Sequence, residues 1–253
     1  MIEKKVIAKH IETHYKMFGK GKPLLILHGW PSSSEKWIGI GKELAEHGFL
    51  VVIPDLPGFG STPAPATPWS QGDYVQWMQE FVDALPEFKK EFYLLGHSFG
   101  GSLSARFAIK YNQRLEKLFL VAASCIRKKT LPKDVSSRIS KIVKKLSFIP
   151  YYRLIRKAMY KFVFKKSDYA NIEGVMKETY LKVIADDSSQ KLYFIKVPTI
   201  ILWGDKDTST PIDDARFINK KIQNSKLIII PGVGHSVQLE APEILIQKIL
   251  ENV

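Results

Sequence analysis

Only one cysteine, Cys125, occurs in 253 residues, so the chain cannot close an internal disulfide, and nothing in it asks for an oxidising compartment. Long apolar runs are missing as well. Residues 1–6 lack the apolar core of a secretion signal, and no segment approaches the roughly 20 apolar residues of a membrane-spanning helix. Cytoplasmic localisation is the expectation. There are no Cys/His pairs at zinc-site spacing, no glycine-rich phosphate loop ending in Lys-Ser/Thr, and no internal repeat, which removes structural zinc, P-loop nucleotide chemistry and solenoids from consideration. Acidic residues are scarce: 25 against 38 lysines and arginines, for a net charge of +13.

What remains is an ordinary globular composition, 45% hydrophobic and 25% charged, long enough for one large domain or one domain carrying an insertion. Residues 4–16 alternate loosely and read as a pair of edge strands, followed by a turn at Gly19-Lys20-Gly21-Lys22-Pro23. Short continuous apolar runs then recur at 24–27, 49–53, 92–95, 118–123, 199–203 and 227–230, the pattern of strands covered on both faces. Helical spacing lies between them: Trp37, Ile40, Leu44 and Ala45; then 73–85 with Tyr74, Trp77, Met78, Phe81 and Leu85; then about 213–221; and a last helix from Glu243. This alternation predicts an α/β fold, a mostly parallel sheet with helices on both faces.

Residues 126–192 break the rhythm. They hold no buried strand run and read as several helices, among them Ile139, Ile142, Val143 and Leu146, and then Leu154, Ile155, Ala158, Met159, Phe162 and Val163. The expected organisation is a core of 1–125 and 193–253 with a helical cap of 126–192 inserted. The cap carries 17 of the basic residues and 6 of the acidic ones, so +11 of the +13 falls there. Arg138, Lys141, Lys144 and Lys145 ring the apolar face of its first helix. Either these charges are solvated surface, or they meet an anionic membrane surface or an acidic carrier protein. A nucleic-acid partner is not expected.

The most informative stretch is Phe92-Tyr93-Leu94-Leu95-Gly96-His97-Ser98-Phe99-Gly100-Gly101. An apolar strand runs into Gly-x-Ser-x-Gly, and Leu103, Phe107 and Ala108 continue with helical spacing. A serine on so sharp a turn lifts its hydroxyl clear of the backbone, and the glycines leave room around it. The following helix directs its N-terminal N–H groups at the space above the serine, where charge develops in acyl transfer. A nucleophilic serine needs a base and an orienting acid. Two later stretches at strand ends carry candidates, Trp203-Gly204-Asp205-Lys206-Asp207 and Gly232-Val233-Gly234-His235. Asp55 also follows a strand and reads as a hydrogen-bonded loop anchor. His28 and His97 read as shaping loops, Glu240 as buttressing the histidine loop or opening the last helix, and Trp37, Trp69, Trp77 and Trp203 as core or pocket lining.

With His28-Gly29-Trp30-Pro31, Asp55-Leu56-Pro57-Gly58-Phe59-Gly60-Ser61 and Pro211, these motifs resemble the α/β-hydrolase superfamily, in its branch of small capped serine esterases and lipases. The resemblance spans nearly all of 24–250 outside the cap. It implies a triad of Ser98, Asp207 and His235, with Asp207 as the acid four residues before a proline and Asp205 in support. It implies an oxyanion hole from the backbone N–H groups of Trp30 and Phe99 and chemistry without metal or organic cofactor; Trp30 itself reads as core or pocket lining, and its side chain and that of Phe99 are candidates to touch substrate. Carboxylic-ester hydrolysis of small to medium acyl chains is the leading expectation. Acyl-carrier esterase, monoacylglycerol-type lipase, carbon–carbon bond hydrolase, cofactor-free haloperoxidase and a triad-retaining receptor stay open beside it. Serine at the turn argues against the dehalogenases and epoxide hydrolases of this fold, which place an aspartate there.

Overall fold

A computed structural model describes residues 1–127 and 173–253. The helices expected around 138–146 and 154–163, with their basic face, lie outside the described residues. Eight strands form one sheet: β1 (Ile2–Ala8), β2 (Ile11–Gly19), β3 (Lys22–Leu27), β4 (Phe49–Pro54), β5 (Phe92–His97), β6 (Leu115–Val121), β7 (Thr199–Gly204) and β8 (Ser225–Ile230). Their spatial order is β1-β2-β4-β3-β5-β6-β7-β8. The β1–β2 and β2–β4 pairings are antiparallel and all others are parallel. The helices are α1 (Ile38–Glu46), α2 (Gln71–Ala84), α3 (Phe99–Lys110), α4 (Gly174–Ala185), α5 (Ile212–Lys221), α6 (Val237–Glu240) and α7 (Pro242–Leu250). Among the described residues, no helix is long and apolar enough to cross a membrane.

The continuous apolar runs are explained by burial on both faces. Along β3, β5 and β6, Leu25, Leu27, Leu94, Leu118 and Leu120 face a core built with Trp77, Phe81, Leu103 and Phe107 of α2 and α3. Their neighbours Leu24, Ile26, Leu95, Phe119 and Val121 face a second core with Ile40, Leu44, Leu245 and Ile249 of α1 and α7. The two-residue period of a strand sends alternate side chains to opposite layers, so both must be apolar. Helix α2 starts where Ser70 forms a capping box: Asp73 N–H donates to Ser70 Oγ at 3.3 Å, and Ser70 N–H donates to Asp73 Oδ2 at 2.9 Å.

Two expectations need correction. The first two strands run longer than 4–16, and only β1 is an edge strand, because β2 pairs with β4 from Tyr15 to Gly19. Their turn went unseen because it is made by Lys9 and His10, both at positive φ (46° and 62°), with neither glycine nor asparagine to mark it. At the other edge, β8 is apolar without being deeply buried: Ile229 is 41% exposed while Ile230 is buried.

This contrast generates a stability prediction. Phe119→Ala, in the centre of the sheet, should cost about 3–5 kcal/mol. Ile229→Ala, with an equally apolar local sequence, should cost about 1 kcal/mol or less. Chemical denaturation midpoints measure both, and equal losses would show that β8 is covered on its outer face.

Candidate active site

Ser98 sits between β5 and α3 at φ 52°, ψ −114°, a conformation that L-residues rarely adopt. The glycines around it are required by close approach. A Cβ on Gly96 would lie 2.3 Å from the carbonyl oxygen of Gly100, and one on Gly100 would lie 2.3 Å from that of Leu27 in β3. Helix α3 therefore packs backbone to backbone against the sheet, and its first N–H, that of Phe99, stands beside Ser98 as one of the helix's unpaired donors. The chain after β3 passes the same point: a Cβ on Gly29 would lie 3.1 Å from Ser98 Cβ. This brings Trp30 against the serine, its ring 5.5 Å from that of Phe99.

The loops after β7 and β8 bring Asp207 and His235 to the same edge. His235 Nε2 lies 3.0 Å from Ser98 Oγ, and its Nδ1 lies 2.8 Å from Asp207 Oδ2. A carboxylate only accepts, so Nδ1 carries the proton and Nε2 is left to accept from the serine hydroxyl. The Asp207 side chain is fully buried. Burial pushes its carboxyl up, but hydrogen bonds from His235, the Thr210 hydroxyl and the Thr210 N–H outweigh that and hold it below the usual range. The N–H groups of Ser209 and Thr210 each donate to Oδ1 at 2.8 Å, and Thr210 Oγ1 donates to Oδ2 at 2.7 Å. Thr210 was missed in the sequence; its position three residues after Asp207 in a turn was the only available sign.

Three further residues pin the histidine loop. Asp205 accepts from Gly232 N–H at 2.7 Å. Glu240 accepts from Gly234 N–H at 2.6 Å and Ser236 N–H at 3.0 Å. His97 Nε2–H donates to the His235 carbonyl at 2.8 Å. Asp55 is a loop anchor, accepting from Ser34 and Ser61 N–H at 2.7 and 2.9 Å. His28 is likewise structural: Leu56 N–H donates to its Nε2 at 3.0 Å, and its Nδ1–H donates to Gly29 O at 2.8 Å. Burial pushes both histidines down to about 4, with His235 adding to the effect on His97. A cavity of about 500 Å³ opens beside Ser98, with Trp30, Phe99, Ile126, Tyr180, Val183 and Ile184 among its walls. Among the described residues, no cluster of three or more His, Cys, Asp or Glu is arranged to hold a metal ion.

A mostly parallel sheet with a strand–serine–helix turn at its carboxyl edge defines the α/β-hydrolase class of fold. The profile of the alpha/beta hydrolase fold family matches residues 22–146 and 164–242. Lipase 1 of Psychrobacter immobilis is 25% identical over 241 residues, covering 87% of this chain and 73% of its own. Human monoacylglycerol lipase ABHD6 is 27% identical over 250 residues, 88% of this chain and 74% of its own. The esterase EaEST of Exiguobacterium antarcticum superposes with a TM-score of 0.78 over 99% of this chain and 98% of its own, at 20% identity, a likeness of fold. The chain belongs to the alpha/beta hydrolase fold family.

The buried histidines carry a pH prediction. In the unfolded chain His28 and His97 take up protons near 6.5, whereas in the fold they stay neutral down to about 4. The unfolded state therefore binds more protons across that window. Stability should rise with pH through it and be lost as pH falls, by up to ~1.4 kcal/mol per pH unit per histidine. His97→Gln keeps a donor and removes one titrating group, so the slope of unfolding free energy between pH 4.5 and 6.5 should fall by about one proton. An unchanged slope would mean that the fold does not keep His97 neutral.

Proposed function

We propose that the chain hydrolyses carboxylic esters of small to medium acyl chains by two-step acyl transfer, with Ser98 as nucleophile, His235 as base and Asp207 as orienting acid. The observation that carries this reading is the continuous relay of 3.0 Å from Ser98 Oγ to His235 Nε2 and 2.8 Å from His235 Nδ1 to Asp207. Ser98 Oγ attacks the ester carbonyl as its proton passes to Nε2. The buried carboxylate stabilises the imidazolium that forms and keeps Nδ1 protonated throughout. The N–H groups of Trp30 and Phe99 hold the tetrahedral oxyanion, where one donor is worth about 3–4 kcal/mol. His235 then protonates the leaving alkoxide, and the acyl group stays on Ser98. Water, deprotonated by the same nitrogen, attacks the acyl-enzyme and releases the acid.

Residues 126–192 act as a lid over this site. Their described helix α4 already contributes Tyr180, Val183 and Ile184 to the cavity wall. A monoacylglycerol substrate presented at an anionic membrane surface is a second reading within the same chemistry. The +11 charge of 126–192 and the relation to a monoacylglycerol lipase favour it.

Purified protein should hydrolyse p-nitrophenyl acetate and butyrate with no added metal, at a rate indifferent to EDTA. Ser98→Ala should remove at least ~10³-fold of kcat. Asp207→Asn should remove ~10³–10⁴-fold, because the imidazole loses its anion and its tautomer. Asp205→Asn, which loosens only the loop at Gly232, should stay within about tenfold. Activity that survives Ser98→Ala, or a larger loss at Asp205 than at Asp207, would reassign the roles. Minimal turnover of every ester would leave a ligand receptor instead.

A further inference from the structure

Among the described residues that line the cavity beside Ser98, one is a cation: Arg127, just beyond the end of β6. Its guanidinium is oriented by main-chain carbonyls, with Nε–H donating to Asp186 O at 3.2 Å and Nη2–H donating to Val183 O at 3.4 Å. Carbonyl dipoles fix the direction of a guanidinium without cancelling its charge.

The nearby carboxylates Asp186, Asp187 and Asp207 each have other hydrogen-bond partners, while Asp187 also attracts Arg127 by its charge. Asp186 pairs with Arg106. Asp187 accepts from the main-chain N–H groups of Ser189 at 2.7 Å and Arg127 at 3.3 Å. Asp207 is held by His235 and Thr210. Asp214, on the cavity wall, has its own interaction. No described carboxylate lies within salt-bridge distance of the Arg127 guanidinium. Burial holds that guanidinium below the ordinary arginine range, and Cys125, Asp187 and Asp186 offset this only in part.

A half-buried, pre-oriented guanidinium without a salt bridge to any described carboxylate, on the wall of the cavity beside Ser98, suits an anionic partner. Its planar fork of donors matches a carboxylate. The cavity that Arg127 shares with Ser98 has apolar side chains on its wall, Ile126, Phe99 and Val183 among them, beside the polar Ser124, Thr208 and Ser209 and the acid Asp214.

We propose that Arg127 is a specificity-determining residue that binds a carboxylate on the substrate, so that half-esters of short dicarboxylic acids are the preferred class; this rests on the ester-hydrolase reading above. The hydrolysed ester carbonyl sits at Ser98, and the free carboxylate sits at Arg127, unchanged by the reaction.

Monomethyl glutarate and methyl pentanoate test this directly. They share the methyl ester and three methylenes and differ in ending with a carboxylate or a methyl group. Measured by pH-stat, kcat/KM should favour the half-ester by about tenfold or more, the scale of one charge-assisted hydrogen bond. That preference should collapse by at least ~10-fold in Arg127→Gln and be kept only in part in Arg127→Lys, which retains the charge but loses the fork. A preference absent from the wild type, or intact in Arg127→Gln, overturns the proposal, as does a parallel fall for both esters.

If neither ester turns over, the hydrolase reading fails and binding decides. Calorimetry on Ser98→Ala protein should then show monomethyl glutarate binding that weakens at least ~10-fold when Arg127→Gln is added. No binding, or equal binding, overturns the carboxylate site. Should Arg127→Gln fail to fold, the Arg127→Lys protein and the wild-type selectivity ratio still decide between a charge-based preference and none.

Discussion

The site depends on backbone-to-backbone contact at the turn that holds Ser98. Helix α3 lies so close to β3 and β5 that Gly96 and Gly100 have no room for a methyl group. That closeness forces Ser98 into its strained conformation, places the Phe99 N–H beside it, and brings the segment after β3, with Trp30, against its side chain. Strain of this kind costs of order 1–3 kcal/mol and persists only where the surroundings over-determine it. Here they do: Ser98 N–H donates to Val121 O, and its carbonyl accepts from both Ser102 and Ser124 N–H, each at 3.0 Å. The turn is tied to β6 on one side and to its own helix on the other.

The histidine is held by a different device. His235 lies on a loop after an edge strand, where burial is weak, and polar contacts supply what packing does not. Asp205 and Glu240 grip N–H groups before and after it, and His97 grips its own carbonyl. Hydrogen bonds to charged groups are worth about 1.5–3 kcal/mol each, against about 0.5–1.5 for neutral ones. The two carboxylates therefore set the loop's position, and His97 sets its approach to the serine. His97 belongs to the turn itself, so Ser98 and His235 are linked twice, once through Oγ and once through the His235 main chain.

The attachment of helix α4 shows a third arrangement. Helix α4 is bound to the core by polar contacts that are largely buried. Trp69 N–H donates to Thr179 Oγ1, Gln71 Nε2–H donates to Val183 O, and Arg106 pairs with Asp186 while also donating to Gln71. An orphaned buried group costs about 1–3 kcal/mol, so these contacts resist being broken singly. The wall that α4 gives the cavity is thereby fixed relative to α2 and α3, and Tyr180 keeps its contact with Trp30, their rings 5.4 Å apart.

The order of strands and helices and the turn at Ser98 were legible in the sequence because they follow from local rules, whereas the roles offered for Asp207 and Asp205 came from the resemblance to the α/β hydrolases. Burial on both faces makes a strand wholly apolar, and a sharp strand-to-helix turn demands glycine. What local rules do not reach are contacts between distant segments. Thr210 meeting His235, His97 bonding to a residue 138 positions away, and Arg127 lying on the cavity wall depend on how loops from several strands meet at one edge of the sheet. The β1–β2 turn escaped notice for the opposite reason: its residues carry no local mark, and only pairing with the rest of the sheet fixes it. Sequence determined which side chains were available for chemistry, because composition and periodicity are local properties. Tertiary structure decided which of them meet, because hydrogen-bond and charge balance are settled only when every neighbour is in place.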